Sequence, residues 1–303
     1  MHQLLTWIVE PGFLASAPVR TAALIGGIVA VVSAIAGVFT VMRGQSFAGH
    51  ALGDVAAAGG SVALLIGLTP LTGFLGLGII GAGTMDLIGV QRARGRDLAT
   101  GIVLGAAIGL TALFLYLDTT ASATTGATQQ VLFGSIFTTT STTIPVITAF
   151  SLVATGVIAV IWRPLLLATV SPDIAAARGV PVRLIGVAYL MTLAIAVALS
   201  SLTTGAILST ALLIGPAATA LRLTRRTGTA LLAACVTGVA ATWAGILLAY
   251  DSYYWGAARE GLPVSFFIVA VIFTAYLLAG CRKAARPRDV APADDAARDQ
   301  AAA

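Results

Sequence analysis

Nine runs of mostly apolar residues, separated by short polar connections, take up most of the chain. A helix that crosses the hydrocarbon core of a bilayer needs roughly 20 such residues, and a helix satisfies its own backbone hydrogen bonds there. The pattern therefore predicts an all-α polytopic membrane protein with about nine transmembrane helices. The segments are residues 21–42, 47–68, 71–90, 98–117, 144–162, 183–201, 205–221, 229–250 and 263–280.

The two ends of the chain differ from this apolar middle, so we divide it into three regions. Residues 1–20 have no basic stretch ahead of an apolar run and do not look like a cleaved signal peptide. We expect an N-terminal interfacial segment there, with a short helix around Leu4–Val9. Residues 21–281 form the predicted transmembrane domain. Residues 282–303, rich in Ala, Asp, Arg and Pro, predict a disordered tail.

Composition narrows the class of protein. Hydrophobic residues make up 58% of the chain and charged residues only 10%, whereas a soluble domain carries about 25% charged residues. These values exclude an ordinary soluble enzyme, a secreted disulfide scaffold and a disordered protein. The net charge of +5 does not indicate nucleic acid, because the basic residues cluster in the connections between apolar runs, as in membrane proteins.

The arginines predict the orientation. Nearly all basic residues fall in alternate connections: at Arg43, within 92–96, within 163–183, within 222–226, and in the tail. The opposite connections contain only Arg20 and Arg259. The positive-inside rule therefore places the N-terminus outside and the C-terminus in the cytoplasm.

Two connections have distinctive sequences. Residues 118–143 are rich in Thr and Ser and lack basic residues, so they could cover the outer side. Residues 171–182, SPDIAAARGVPV, predict a cytoplasmic helix of about two turns, because Ser171 is a good N-cap, Pro172 and Asp173 suit the first turn, and Gly179 suits the C-terminal end. From the residues alone, an ordinary connecting helix explains this segment equally well.

Three ionisable residues, His50, Asp54 and Asp86, fall within predicted spans, where a charge is costly and usually has a function or a partner. His50 and Asp54 are four residues apart and share one helical face. Imidazole and carboxylate together can bind a transition metal, but a buried structural pair, or side chains that reach to the interface, remains an alternative. For Asp86, near the end of its segment, we favour an interfacial charge.

The seventh span contains Ser209, Thr210 and Pro216, and the proline predicts a kink. A packing kink and a helix that lines a pathway both fit this pattern.

The fourth span carries Gly101, Gly105 and Gly109, a stripe on which another helix could pack closely.

The chain has no P-loop, HExxH or GxSxG pattern. We therefore expect a protein that is not an enzyme, and any ATP-driven process would need another polypeptide.

Three stretches resemble the membrane permease subunits of bacterial ABC importers for zinc, manganese and iron. They are residues 42–60, MRGQSFAGHALGDVAAAGG; residues 171–182; and residues 205–226, GAILSTALLIGPAATALRLTRR. Shorter matches occur at 131–136 and 261–269, so the resemblance covers roughly residues 20–280. The family's second helix usually carries an Asp followed four residues later by a His, and this chain has the reverse order, His50 and then Asp54.

The resemblance implies a multi-pass permease domain in the bacterial cytoplasmic membrane that moves a divalent zinc, manganese or iron ion. It implies a homodimer or a pair of permeases, a cytosolic ABC ATPase that uses ATP, an extracytoplasmic metal-binding protein and no permanently bound cofactor. His50 and Asp54 would bind the ion transiently in the pathway, and Ser209 and Pro216 would belong to a kinked pathway helix. The implied ATPase-coupling residues are Pro172, Asp173, Ala176, Arg178 and Gly179.

Other functions remain open at this point. An ABC permease for a metal chelate is the nearest alternative, and a stand-alone secondary metal transporter is another. An intramembrane enzyme that uses His50 and Asp54 as an acid–base pair ranks last, because no nucleophile or third ligand accompanies them.

Overall fold

The computed structural model describes residues 16–89, 96–122, 126–134, 136–137, 139–253 and 261–284, and every element among these residues is helical. A 3₁₀ turn, Ser141–Thr143, precedes the sixth α-helix. The α-helices are α1 Ala17–Met42, α2 Ser46–Leu65, α3 Pro70–Ile88, α4 Arg96–Ser122, α5 Gly126–Phe133, α6 Ile144–Val170, α7 Pro172–Ala177, α8 Val182–Thr204, α9 Ala206–Leu223, α10 Thr227–Ser252 and α11 Val264–Ala284. The expected interfacial helix at Leu4–Val9 and most of the expected tail lie outside the described residues.

Among the described residues, eight helices are long and apolar enough to cross a membrane: α1, α3, α4, α6, α8, α9, α10 and α11. The all-α polytopic architecture is thus confirmed. The remaining predicted segment forms α2, which is long enough at 20 residues. It falls outside the set of eight because His50, Asp54 and its glycines lower its mean hydropathy.

Several helices extend beyond the predicted segments. Helix α6 continues past residue 162, through Pro164, to Val170, because the residues after the proline remain apolar and Leu165 is fully buried. The exposed connection before α8 is therefore shorter than expected. Helices α4 and α10 also extend past their predicted ends, and this places Asp118 and Asp251 inside helices, where both are buried.

Helices α1 and α8 form the centre of the bundle. In their most apolar stretches 72% and 67% of the residues are buried, against 22% in both α4 and α6. Helix α1 packs against α6, α8, α9 and α10, and α2 packs against α3, α4, α8 and α9. Helix α2, which carries His50 and Asp54, is therefore enclosed by other helices along much of its surface.

Glycines allow one very close helix contact and leave one surface open. Gly59 of α2 and Gly73 of α3 meet backbone to backbone, with no room for a side chain at either position. By contrast, nothing lies within 4 Å of a side chain built at Gly101, Gly105 or Gly109. Within the described part of this chain no helix packs on this stripe, because α4 turns a different face, with Ala107, Thr111 and Leu115, inward.

The two distinctive connections lie at opposite ends of α6. Helix α5 precedes α6 and packs against α2, α4, α8 and α9. Helix α7 follows α6 directly and packs against α6 and α8. The Thr- and Ser-rich connection and the α7 segment are therefore on opposite sides of the bundle.

Candidate functional site

His50 and Asp54 lie next to each other on α2, as their spacing predicts. His50 Nε2 is 3.6 Å from Asp54 Oδ2, and the two side chains are 36% and 13% exposed. A side-chain contact of 3.6 Å is too long for a hydrogen bond, so the two side chains are close without being directly hydrogen-bonded. Asp54 Oδ2 has no hydrogen-bond partner within the described part of the chain.

The gap between these two atoms is slightly wider than one shared metal ion needs. An ion about 2.1 Å from each atom would hold them about 3.0 Å apart in octahedral geometry and about 3.4 Å apart in tetrahedral geometry. The observed 3.6 Å is close to that range. The pair can therefore receive an ion with a shift of a few tenths of an ångström, and the unpartnered carboxylate oxygen would gain a ligand interaction.

Thr210 of α9 orients the imidazole. Its Oγ1 lies 2.8 Å from His50 Nδ1. If Nδ1 carries the proton and donates it to Thr210, the lone pair of Nε2 is free on the side of Asp54, which is the tautomer that a metal ligand requires. Thr210 falls in the same predicted span as Pro216, but nothing in the sequence connects it to His50, which is 160 positions away.

The pair opens into a cavity of about 390 Å³ between α2, α4, α5 and α9. Ile108 and Leu115 of α4 contribute to its wall. These residues lie about 18 and 29 Å along α4, a helix about 40 Å long at 1.5 Å per residue. The cavity therefore lies at mid-height along α4, and it is partly open to the surface of the chain, because Ile108 and Ile207 in its wall are each 51% exposed.

The cavity offers few protein ligands besides the pair. Its other lining residues are Ala57, Ile108, Thr111, Ala112, Leu115, Leu132, Ala206 and Ile207. The Thr111 hydroxyl donates to the Ala107 carbonyl 2.9 Å away. Across the described residues no group of three or more His, Cys, Asp or Glu side chains is close enough to hold a metal. An ion here would keep water molecules as its other ligands, which suits transient binding.

Ser209 and Pro216 do not line this cavity. Ser209 is buried, its hydroxyl donates to the Ala206 carbonyl at 2.9 Å, and it lies beside Gly53 of α2. Pro216 is buried within α9 and faces Gly238 of α10. In this arrangement both residues shape α9 and its packing, and Thr210 is the α9 residue that reaches the pair.

Helix α7 is short, capped and largely exposed. The Ser171 side chain accepts a hydrogen bond from the Ile174 N–H at 3.4 Å. At the other end, Gly179 has a φ of 77° and the Val180 N–H donates to the Ala175 carbonyl, which closes the last turn. Ala175 is buried against the bundle. The exposed residues are Pro172, Asp173, Ile174, Ala176, Ala177, Arg178 and Gly179.

Asp86 lies elsewhere. It lines a separate cavity of about 490 Å³ together with Pro181 and Arg183, near the start of α8. The structure does not bring Asp86 to the His50–Asp54 pair.

The sequence pattern of the ABC 3 transport family matches residues 17–280. The chain belongs to the ABC 3 transport family. Membership agrees with the resemblance carried by residues 42–60, 171–182 and 205–226. The chain is therefore a multi-pass membrane protein of an ABC transporter family.

Individual relatives show how far the similarity extends. The manganese transport system membrane protein MntC of Halalkalibacterium halodurans is 31% identical over 256 residues, which is 84% of this chain and 85% of that protein. The high-affinity zinc uptake system membrane protein ZnuB of Haemophilus influenzae is 25% identical over 261 residues, 83% of this chain and 95% of the relative. These similarities span nearly the full length of both chains.

A solved structure supports the fold. PsaBC from Streptococcus pneumoniae in complex with Fab superposes with a TM-score of 0.76 at 22% identity, covering 91% of this chain and 95% of the other. The helix arrangement is thus the same fold as in that structure.

Proposed function

We propose that this chain is the membrane permease of an ATP-driven importer for a divalent transition-metal ion. The observation that carries the proposal is the His50–Asp54 pair, which is placed to share an ion at a cavity at mid-height along α4, with Thr210 orienting the imidazole. Among the residues that the structure describes, the cavity supplies one imidazole and one carboxylate, so it would hold an ion briefly and release it. The chain would perform no ATP hydrolysis itself, and energy would come from a separate ATPase.

Manganese is the cargo we propose first. The relative with 31% identity is named as part of a manganese transport system, and a zinc relative is more distant at 25%. A carboxylate with water ligands suits manganese, and the imidazole of His50 also suits zinc and iron. Zinc and iron are therefore the comparison ions in any test.

Helix α7 is the proposed docking element for the ATPase. It is held on α6 and α8 and is capped at both ends, so it can move as a rigid unit with its two neighbours. Its exposed face offers a carboxylate at Asp173, a guanidinium at Arg178 and an apolar side chain at Ile174, which is 52% exposed. Pro172, Ala176 and Gly179 complete this face and allow close approach of a partner.

The proposed orientation places α7 in the cytoplasm of a bacterium, with the N-terminus outside and the C-terminus inside. Arg178 and Arg183 lie at the α7 end of the bundle, whereas Arg20 lies near the start of α1. The excess of arginine at the α7 end supports this orientation. A second permease subunit would complete the pathway, and an extracytoplasmic protein would deliver the ion at the α5 end.

The test is metal uptake by the complete importer in liposomes: this chain, its ATPase and its binding protein. We expect ATP-dependent uptake of manganese in preference to zinc and iron. His50→Ala and Asp54→Asn should each reduce uptake by at least about tenfold. Loss of a residue that only orients a metal ligand already costs about tenfold in metal affinity, and loss of the ligand itself should cost at least as much. The complex should still assemble.

A matched control separates the cavity from general charge effects. Asp97→Asn removes a carboxylate from the exposed first turn of α4, outside the cavity, and should leave uptake unchanged. Uptake that survives both cavity substitutions would reduce the pair to a packing feature. Uptake without the ATPase would instead establish a secondary transporter.

A further inference from the structure

A cluster of side chains joins the α1–α2 turn to both helices that flank α7. Arg43 donates from Nε to Gln45 Oε1 at 3.3 Å and from Nη1 to Thr169 Oγ1 at 3.4 Å. Its guanidinium carbon lies 5.2 Å from the centre of the Tyr189 ring, within cation–π range. The Tyr189 hydroxyl lies 2.7 Å from Thr40 Oγ1. We call these five residues the Arg43 cluster.

The members of the cluster lie at mechanically important positions. Thr169 is in the last turn of α6, two residues before Ser171, the N-cap of α7. Tyr189 is in the second turn of α8, the helix that follows α7. Arg43 is the C-cap of α1, and α2 begins three residues later with His50 in its second turn. The cluster therefore connects the two supports of α7 to the start of the helix that carries the ion-binding pair.

The turn around Arg43 is firmly constrained. Gly44 has a φ of 61°, and the Gln45 N–H donates to the Thr40 carbonyl at 2.9 Å, which closes the end of α1. Gln45 is 4% exposed and Tyr189 is fully buried. A displacement of the ends of α6 and α8 would therefore push on the α1–α2 turn rather than be absorbed by loose side chains.

We propose that Arg43 is a positioning residue that transmits movement of α7 to α2, and so couples ATP hydrolysis to the state of the His50–Asp54 cavity. This inference rests on the proposed function, in which α7 docks the ATPase and the pair binds the ion. Arginine suits this role because its planar guanidinium donates in several fixed directions and also stacks on an aromatic ring. It bridges α6, α8 and the α1–α2 turn at once.

The experiment measures metal uptake and ATP hydrolysis in the same proteoliposomes containing the complete importer. In Arg43→Met the number of ions taken up per ATP should fall about fivefold or more, the lower end of typical coupling between sites. ATP hydrolysis and the amount of assembled complex should stay near wild type. Arg225→Met, which removes an exposed arginine outside the cluster, is the matched control and should keep the wild-type ratio.

A double-mutant cycle tests the route. Thr169→Val removes only the hydroxyl that Arg43 contacts and should lower the ratio less than Arg43→Met does. The double variant should match Arg43→Met alone, because both changes break the same connection. If Arg43→Met does not assemble, Thr169→Val carries the test: a lowered ratio supports the inference, and a wild-type ratio overturns it.

The outcomes separate this inference from the proposed function. If wild-type importer shows no ATP-dependent uptake, the proposed function fails and the coupling role fails with it. If wild type transports and Arg43→Met has the wild-type ratio, the coupling role is wrong and the permease function stands. A parallel loss of uptake, ATP hydrolysis and assembled complex in all cluster variants would show that the cluster serves folding alone.

Discussion

Replacing Thr210 by valine should weaken the ion site without disturbing the fold. Valine has nearly the same shape as threonine, and Thr210 is only partly buried, so packing around α9 should change little. The change removes the hydroxyl 2.8 Å from His50 Nδ1. His50 can then rotate or adopt the other tautomer, and Nε2 loses its fixed direction toward the shared ion.

The size of the effect follows from the hydrogen bond. A neutral hydrogen bond contributes about 1 kcal/mol net, which corresponds to about a fivefold change in an equilibrium constant. Removing the partner that orients a metal-bound histidine costs about tenfold or more in affinity. We therefore expect Thr210→Val to raise the half-saturating metal concentration for uptake about five- to tenfold, with a smaller effect on the maximal rate.

The assay is ATP-dependent manganese uptake at a series of metal concentrations in reconstituted liposomes. Thr210→Ser keeps the hydroxyl and should stay close to wild type. Thermal unfolding of the purified variants should remain near wild type, because no buried group loses its packing. A Thr210→Val transporter with the wild-type half-saturating concentration would refute the reasoning. A Thr210→Ser variant as impaired as Thr210→Val would show that the methyl packing matters and the hydrogen bond does not.

Two further predictions concern glycines and use thermal unfolding of the detergent-solubilised chain. Gly73→Ala should destabilise the chain strongly, because its methyl group would meet the backbone of Gly59. Gly105→Ala should instead raise stability by about 0.8–1.0 kcal/mol, because its surroundings are open and alanine favours a helix. Equal melting temperatures for these two variants would contradict this prediction. Gly205→Ala should abolish folding, because a side chain there collides with the backbone at the end of α5. A side chain at Gly179 has nothing within 4 Å, so Gly179→Ala should cost only the strain of the left-handed backbone conformation, about 1–2 kcal/mol. If Gly205→Ala melts at the same temperature as Gly179→Ala, the close contact at the end of α5 is not important for stability.

The apolar runs predicted the helices well, and the reason is local. In a bilayer every backbone group must find its partner within the same helix, so a long apolar run has few other options. The same local reach explains why the cap residues Ser171 and Gly179 predicted α7. It also explains why a four-residue spacing placed His50 and Asp54 side by side, since one helical turn brings such residues together whatever surrounds them.

Other features followed from the packing of the bundle. The length of α6 beyond Pro164 depended on Leu165 finding a buried site, and the open stripe on α4 depended on which face α4 turned to α2. Neither choice is visible in the period of the apolar residues, because several faces of these helices are equally apolar.

The sequence by itself determined that this protein is a helical membrane bundle with an imidazole and a carboxylate on one face of α2. Only the tertiary structure decided that Thr210 orients the imidazole from 160 residues away, and that Arg43 reaches Thr169 across 126 residues. The physical reason is distance along the chain. Helical geometry relates residues within a turn or two, whereas contacts between helices arise from how the whole set of helices packs together.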